Sequence, residues 1–171
     1  MQLLVDTHLL LWWLADSPSL PAEARTLIAD AENTVFVSAV SMWEIWLKES
    51  LGKLRLPRGF EDRLAAGPFA RLPLTGAQAR RVAALPWHHR DPSDRMRVAQ
   101  VQQENLILLT ADDPVAAYGG RVRLVRQAAP AQTGAGAAER FAVTFVLRVV
   151  RYRGRGQANH GLLHQLRKRT E

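Results

Sequence analysis

At 171 residues and with no cysteine, the chain has room for one domain with a real core and no means of building a disulfide frame or a thiolate metal site. Its formal charge of +7 is concentrated at one end: residues 1–126 hold 15 Lys+Arg against 14 Asp+Glu, and residues 127–171 hold 8 against 2, so nucleic-acid binding by bulk charge is an argument for the tail alone. The longest apolar runs, such as Leu9 to Ala15, are too short to span a bilayer and follow no charged leader, so the chain is read as cytoplasmic, with neither signal peptide nor anchor.

Leu3-Leu4-Val5 reads as a strand buried on both faces, and it ends abruptly in Asp6. Thr7 is placed to cap a helix that follows. Asp6 then either stands at the carboxyl end of a central strand, where open α/β sheets bind ligands, or simply starts a turn. A first helix is expected over 7–15, with Leu9, Trp12 and Trp13 at helical spacing, and Asp16-Ser17-Pro18 breaks it. Ser19 and Pro21 suit the start of a second helix through Asp30, which carries Ala24, Leu27 and Ile28 on one face. Thr34 to Val37 is short, β-branched and apolar, as a second buried strand should be.

Ser38 can cap a helix from Ala39 to Leu51, with Gly52 placed to end it. Val40, Trp43, Leu47 and Leu51 then form one apolar stripe, and Glu44 falls within it. A buried, unpaired carboxylate costs several kcal/mol, so Glu44 requires a partner: Lys48 one turn on, or a cation beyond the helix.

Leu54 to Pro57 is a connector, Phe60 to Ala66 a helix and Phe69 to Leu72 a third strand; Thr75 caps a helix through Ala84. In the loop Pro86 to Arg90, His88 and His89 lack a third nitrogen ligand nearby and read as surface residues or contacts to a substrate rather than a zinc site. Asp91-Pro92-Ser93-Asp94 opens a helix reaching about Glu104. Capping accounts well for one of these two aspartates and poorly for both. Leu106 to Leu109 is an apolar strand, and Thr110-Ala111-Asp112-Asp113 follows at once, repeating the opening pattern of strand and then carboxylate.

Alternating strands and helices imply a three-layer α/β/α fold with a mostly parallel sheet of four to five strands, in which strand-end residues converge. Asp6, Glu44, Asp94 and Asp112 are the first candidates, with Asp91 and Asp113 in reserve. Four carboxylates in one pocket repel one another unless protons or a cation neutralise them. With no cysteine and no well-placed histidine expected, oxygen ligands suit Mg²⁺ or Mn²⁺, and such a cation suits hydrolysis of a phosphodiester. Thr110 is placed to bond a carboxylate or the attacking water, or to serve only as a turn residue.

Leu-Leu-Val-Asp6-Thr7-His, Ser-Met-Trp-Glu44-Ile, His-Arg-Asp-Pro-Ser-Asp94-Arg and Leu-Leu-Thr-Ala-Asp112, in that order, resemble the PIN domain, in particular the VapC toxins of bacterial toxin–antitoxin pairs. The resemblance runs from residue 1 to about 125. It implies a metal-dependent endoribonuclease with its acidic quartet at Asp6, Glu44, Asp94 and Asp112, acting on RNA. It also implies a homodimer and a cognate antitoxin protein that covers the acidic pocket with a basic side chain. Asp112 is preferred to Asp113 because it holds the Thr-x-Asp position. Ser93 and Arg97 depart from the pattern, since relatives often carry an aromatic or apolar residue at the first position and usually an apolar one at the second.

The tail lies outside the resemblance. Residues 127–138 read as a flexible linker, 141–150 are strand-like, and arginines interleave with Tyr152 and glycines over 148–155, which fits either single-stranded RNA or a disordered basic extension. Two other functions fit parts of the pattern. An aspartyl phosphatase needs a second acid two positions after Asp6, where this chain has His8; a non-catalytic RNA-binding or interaction module would use the carboxylates only as caps.

Overall fold

In a computed structural model, residues 1–127 are described. Five strands, β1 (Gln2–Val5), β2 (Thr34–Ser38), β3 (Phe69–Leu72), β4 (Ile107–Thr110) and β5 (Val122–Leu124), form one sheet in the order β3-β2-β1-β4-β5. Every pairing is parallel; Leu4 of β1 lies between Phe36 of β2 and Leu108 of β4. Parallel strands require crossovers, and helices supply them on both faces.

Side-chain alternation along β1 divides the core in two. Leu3 and Val5 face α1 (Thr7–Leu14), α2 (Ala22–Ala29), α3 (Ala39–Ser50) and α4 (Phe60–Ala66), meeting Leu9, Leu10, Ile28, Ile45 and Phe60. Leu4 and Leu108 face the other way, towards α5 (Gly76–Arg81, continued by a 3₁₀ turn at Val82–Ala84), α6 (Pro92–Glu104) and α7 (Asp113–Ala116), with Val98, Val101 and Val115 packed there. The strand order reverses at β1, whose neighbours are β2 on one side and β4 on the other. The carboxyl ends of β1 and β4 therefore border the crevice where such sheets bind ligands.

The local signals hold with adjustments. Ser38 caps α3 by accepting the Val40 N–H at 2.9 Å, and Gly52 takes a left-handed φ of 65° just past its end. Ser19 does not cap α2, which starts from Pro21 without a side-chain cap bond. On α1 the buried apolar residues are Leu9, Leu10 and Leu14, with Trp12 and Trp13 at the margin. Thr75 and Gln78 form a reciprocal capping box on α5. Thr75→Ala is expected to cost about 1 kcal/mol, read as a lower Tm in calorimetry, and an unchanged Tm would show the cap to be dispensable.

Of the stripe expected to bury α3 only Val40 is buried, and the rest faces outward: Trp43 is 56% exposed, Leu47 40% and Leu51 57%. The helix packs through Val40, Ser41, Glu44 and Ile45. Burying that face puts Glu44 inside, which is tolerable only because cations from α3 and α6 meet it there. Residues 128–171, which carry most of the expected extension and all of its strand-like and arginine-rich segments, lie outside the described residues. No helix among the described residues is long and apolar enough to cross a membrane.

Candidate active site

Asp6 directly follows β1 with an extended backbone (φ −72°, ψ 168°), which lifts its carboxylate over the first free amides of α1. Its Oδ1 accepts the Leu9 N–H at 2.8 Å, so Asp6 caps this helix; Thr7, expected in that role, is already its first helical residue. Asp6 Oδ2 accepts the hydroxyl of Thr110 at the end of β4, and Thr110 Oγ1 in turn accepts the Asp112 N–H at 3.0 Å. One buried threonine thus ties the two strand-end aspartates together.

The doubled acids at the start of α6 divide their labour. Asp91 Oδ1 accepts the N–H of Ser93 at 2.8 Å and of Asp94 at 3.3 Å, with Pro92 supplying the preset first helical turn. Capping therefore occupies Asp91 and leaves the Asp94 carboxylate free to face the pocket. At the start of α7, Asp113 makes an exposed ion pair with Arg126, whereas the Asp112 carboxylate makes no cap bond. Asp6, Glu44, Asp94 and Asp112 converge around Thr7, Thr110 and Arg97; Asp91 and Asp113 point to other duties.

Glu44 finds both kinds of partner at once. Lys48, one turn on, donates to Oε1, and Arg97 of α6 donates from Nη1 to Oε2 at 2.8 Å, while the Thr7 hydroxyl also donates to Oε2 at 2.8 Å. Arg97 Nη1 further donates to Thr7 Oγ1 at 2.7 Å and Nη2 donates to Asp94 Oδ1; its Nε is buried with no hydrogen-bond partner among the described residues. Burial works against the ionised Glu44, but the charge of Arg97 and the bonds from Lys48 and Arg97 outweigh it and hold the carboxyl at about 2. Asp94 moves the other way: burial, with the nearby Asp91 charge, raises its pKa despite Arg97 and His89.

These opposite shifts have opposite consequences for acid stability. Glu44, depressed from an ordinary value of 4.5, contributes stability that is present above that value and is lost as pH falls towards about 2. Asp94, raised, gains relative stability as it takes up its proton. Unfolding of wild type should accordingly steepen between about pH 4.5 and 2, and Glu44→Gln should flatten the curve there. Equal acid sensitivity of the two proteins in denaturant melts would contradict this assignment.

The expectation that no histidine lies close to the carboxylates is corrected for His89. His89 Nδ1 lies 3.5 Å from Asp94 Oδ2 and Nε2 lies 3.9 Å from Asp112 Oδ2. Nδ1 also accepts the Asp91 N–H at 2.9 Å, which leaves Nε2 to carry the ring hydrogen towards Asp112. Sequence spacing does not reveal this, because the direction of the 86–90 loop is set by Arg95. Its guanidinium donates to the carbonyls of Val82, Leu85 and Pro86 and to Tyr118 Oη, and packs 4.1 Å from the Trp87 ring. A buried arginine staples the loop that carries His89.

His89, Asp94 and Asp112 each offer a ligand atom within 4.8 Å of the other two. Two carboxylates with a surplus of negative charge around them fit a divalent cation of the hard class, with the imidazole beside it. A family model described as PIN domain matches residues 3–120. Two solved structures share the fold: VapBC2 from Rickettsia felis bound to a promoter DNA fragment (12% identity, TM-score 0.56, 73% of this chain and 99% of that one) and a toxin–antitoxin complex from Klebsiella pneumoniae (19% identity, TM-score 0.52, 73% and 98%). No curated protein matches the chain.

Proposed function

This chain belongs to the PIN domain family, and we propose that it is a Mg²⁺- or Mn²⁺-dependent endoribonuclease of the VapC type, the toxin of a toxin–antitoxin pair. The observation that carries the reading is the convergence of Asp6, Asp94 and Asp112 at the carboxyl edge of β1 and β4, with two of the three free of capping duty. Asp94 and Asp112, backed by Asp6, would hold the cation, and Glu44 completes the acidic set from α3. When bound, a divalent cation there supplies Lewis-acid charge for a phosphodiester and lowers the pKa of a water.

The chain's own groups do the positioning. Thr110 and the Leu9 N–H fix both oxygens of Asp6, and the Asp112 N–H bond to Thr110 holds that aspartate against the same strand end. Thr7 orients Glu44, and Arg97 orients both Glu44 and Asp94. His89 presents Nε2–H beside Asp112, where a phosphate oxygen could accept it. No serine, cysteine or histidine nucleophile is needed, so water is the attacking group.

Partners follow the same reading. The two toxin–antitoxin neighbours support a protein antitoxin, and the exposed Trp43, Leu47, Leu51 and Leu74 offer apolar area for it or for a second copy in a homodimer. The ends of the RNA products test the chemistry. Attack by water gives products without a cyclic phosphate, whereas 2′,3′-cyclic phosphate ends would show that the ribose hydroxyl attacks and that the carboxylates play another part.

A further inference from the structure

Arg97 sits between Glu44 and Asp94, and it is only 3% exposed. Its Nη1 takes Glu44 Oε2 and Thr7 Oγ1, and its Nη2 takes Asp94 Oδ1, while Lys48 holds the remaining oxygen of Glu44. Both oxygens of Glu44 are thus committed to fixed cations. Asp94 is divided: Oδ1 turns to Arg97, and Oδ2 turns to His89 and the side where Asp112 stands. Among the described residues, Asp112 has only the imidazole of His89 within ion-pairing distance, and its side chain is 36% exposed.

The pocket is therefore electrostatically split. An inner half, between α3 and α6, already contains a positive charge; an outer half, at Asp94 Oδ2 and Asp112 with Asp6 behind, does not. A guanidinium keeps its charge at any working pH, and a divalent ion placed against it would meet repulsion with the compensating oxygens already engaged. We infer that Arg97 is a built-in cation filling the inner half of the acidic pocket, so that the chain takes a single divalent ion, at the outer half, and keeps Glu44 out of its coordination. This rests on the metal-dependent reading above and adds to it how many ions bind and which acids hold them.

The test is a Mn²⁺ titration of the full chain followed by electron paramagnetic resonance, which counts bound ions without reference to cleavage. Wild type is expected to bind one Mn²⁺. Two bound ions overturn the inference and leave the metal-dependent reading standing; no bound ion overturns that reading itself. Arg97→Met, assayed in the cold, should raise the count to two or tighten binding at least about tenfold, since it frees carboxylate oxygens and removes a repelling charge. A count of one with unchanged or weaker affinity would overturn the inference. Glu44→Gln decides the matter should Arg97→Met not fold: Mn²⁺ affinity within about threefold of wild type supports an uncoordinated Glu44, and a larger loss contradicts it.

Discussion

Asp94→Asn should lower RNA cleavage by roughly a hundred- to a thousandfold while leaving Tm close to that of wild type. Asparagine keeps an oxygen for the Arg97 guanidinium, so the α6 contact survives. What it removes is the negative charge at Oδ2, on the side facing His89 and Asp112. Burial already disfavours that charge, raising the Asp94 pKa, so its loss costs the fold little and the site a great deal. Because Asp91 is engaged in capping two amides, Asp91→Ala should act in the opposite sense, costing stability before activity. Unimpaired cleavage by Asp94→Asn would remove this residue from the catalytic set.

The second large effect is one of stability. Arg97→Met strands Glu44 in a pocket where it is 7% exposed, with Lys48 and Thr7 as its remaining partners. Breaking a buried ion pair from one side costs about 3–5 kcal/mol; with Lys48 still in place the lower end applies, a fall in Tm of roughly 10 °C. Adding Glu44→Gln to Arg97→Met removes the stranded charge and should recover about half of the loss, because replacing both members of a buried pair is far cheaper than removing one. Calorimetry on the two single variants and the double measures the coupling directly. An Arg97→Met protein that melts with wild type would mean that the pair contributes nothing to the fold.

The same residues show what the sequence could reveal. β1 and β4 are buried on both faces, so each is a continuous apolar run, and a carboxylate closing such a run stands out; Asp6 and Asp112 were legible for that reason. The duplication at Asp91 and Asp94 was legible as a surplus over capping, and the helix geometry assigns the cap to Asp91. Helix α3 misleads because its most hydrophobic stripe, Trp43 and Leu47, is not its buried one. A pattern of hydrophobicity treats Glu44 as an intruder, since the guanidinium that compensates it comes from a helix fifty residues further on. The approach of His89 to Asp94 and Asp112 escaped for a similar reason: the orientation of this ring depends on Arg95 gathering three carbonyls, a contact that spacing along the chain does not encode.

If these carboxylates cut RNA through a divalent cation, removing the cation must stop the reaction and restoring it must revive it. The most direct measurement is cleavage of a structured RNA by the purified, antitoxin-free chain in Mn²⁺, set beside the same sample in EDTA and again after Mn²⁺ is restored. Metal-dependent hydrolysis predicts cleavage in the first, none in the second and recovery in the third. Cleavage that persists undiminished in EDTA would contradict it.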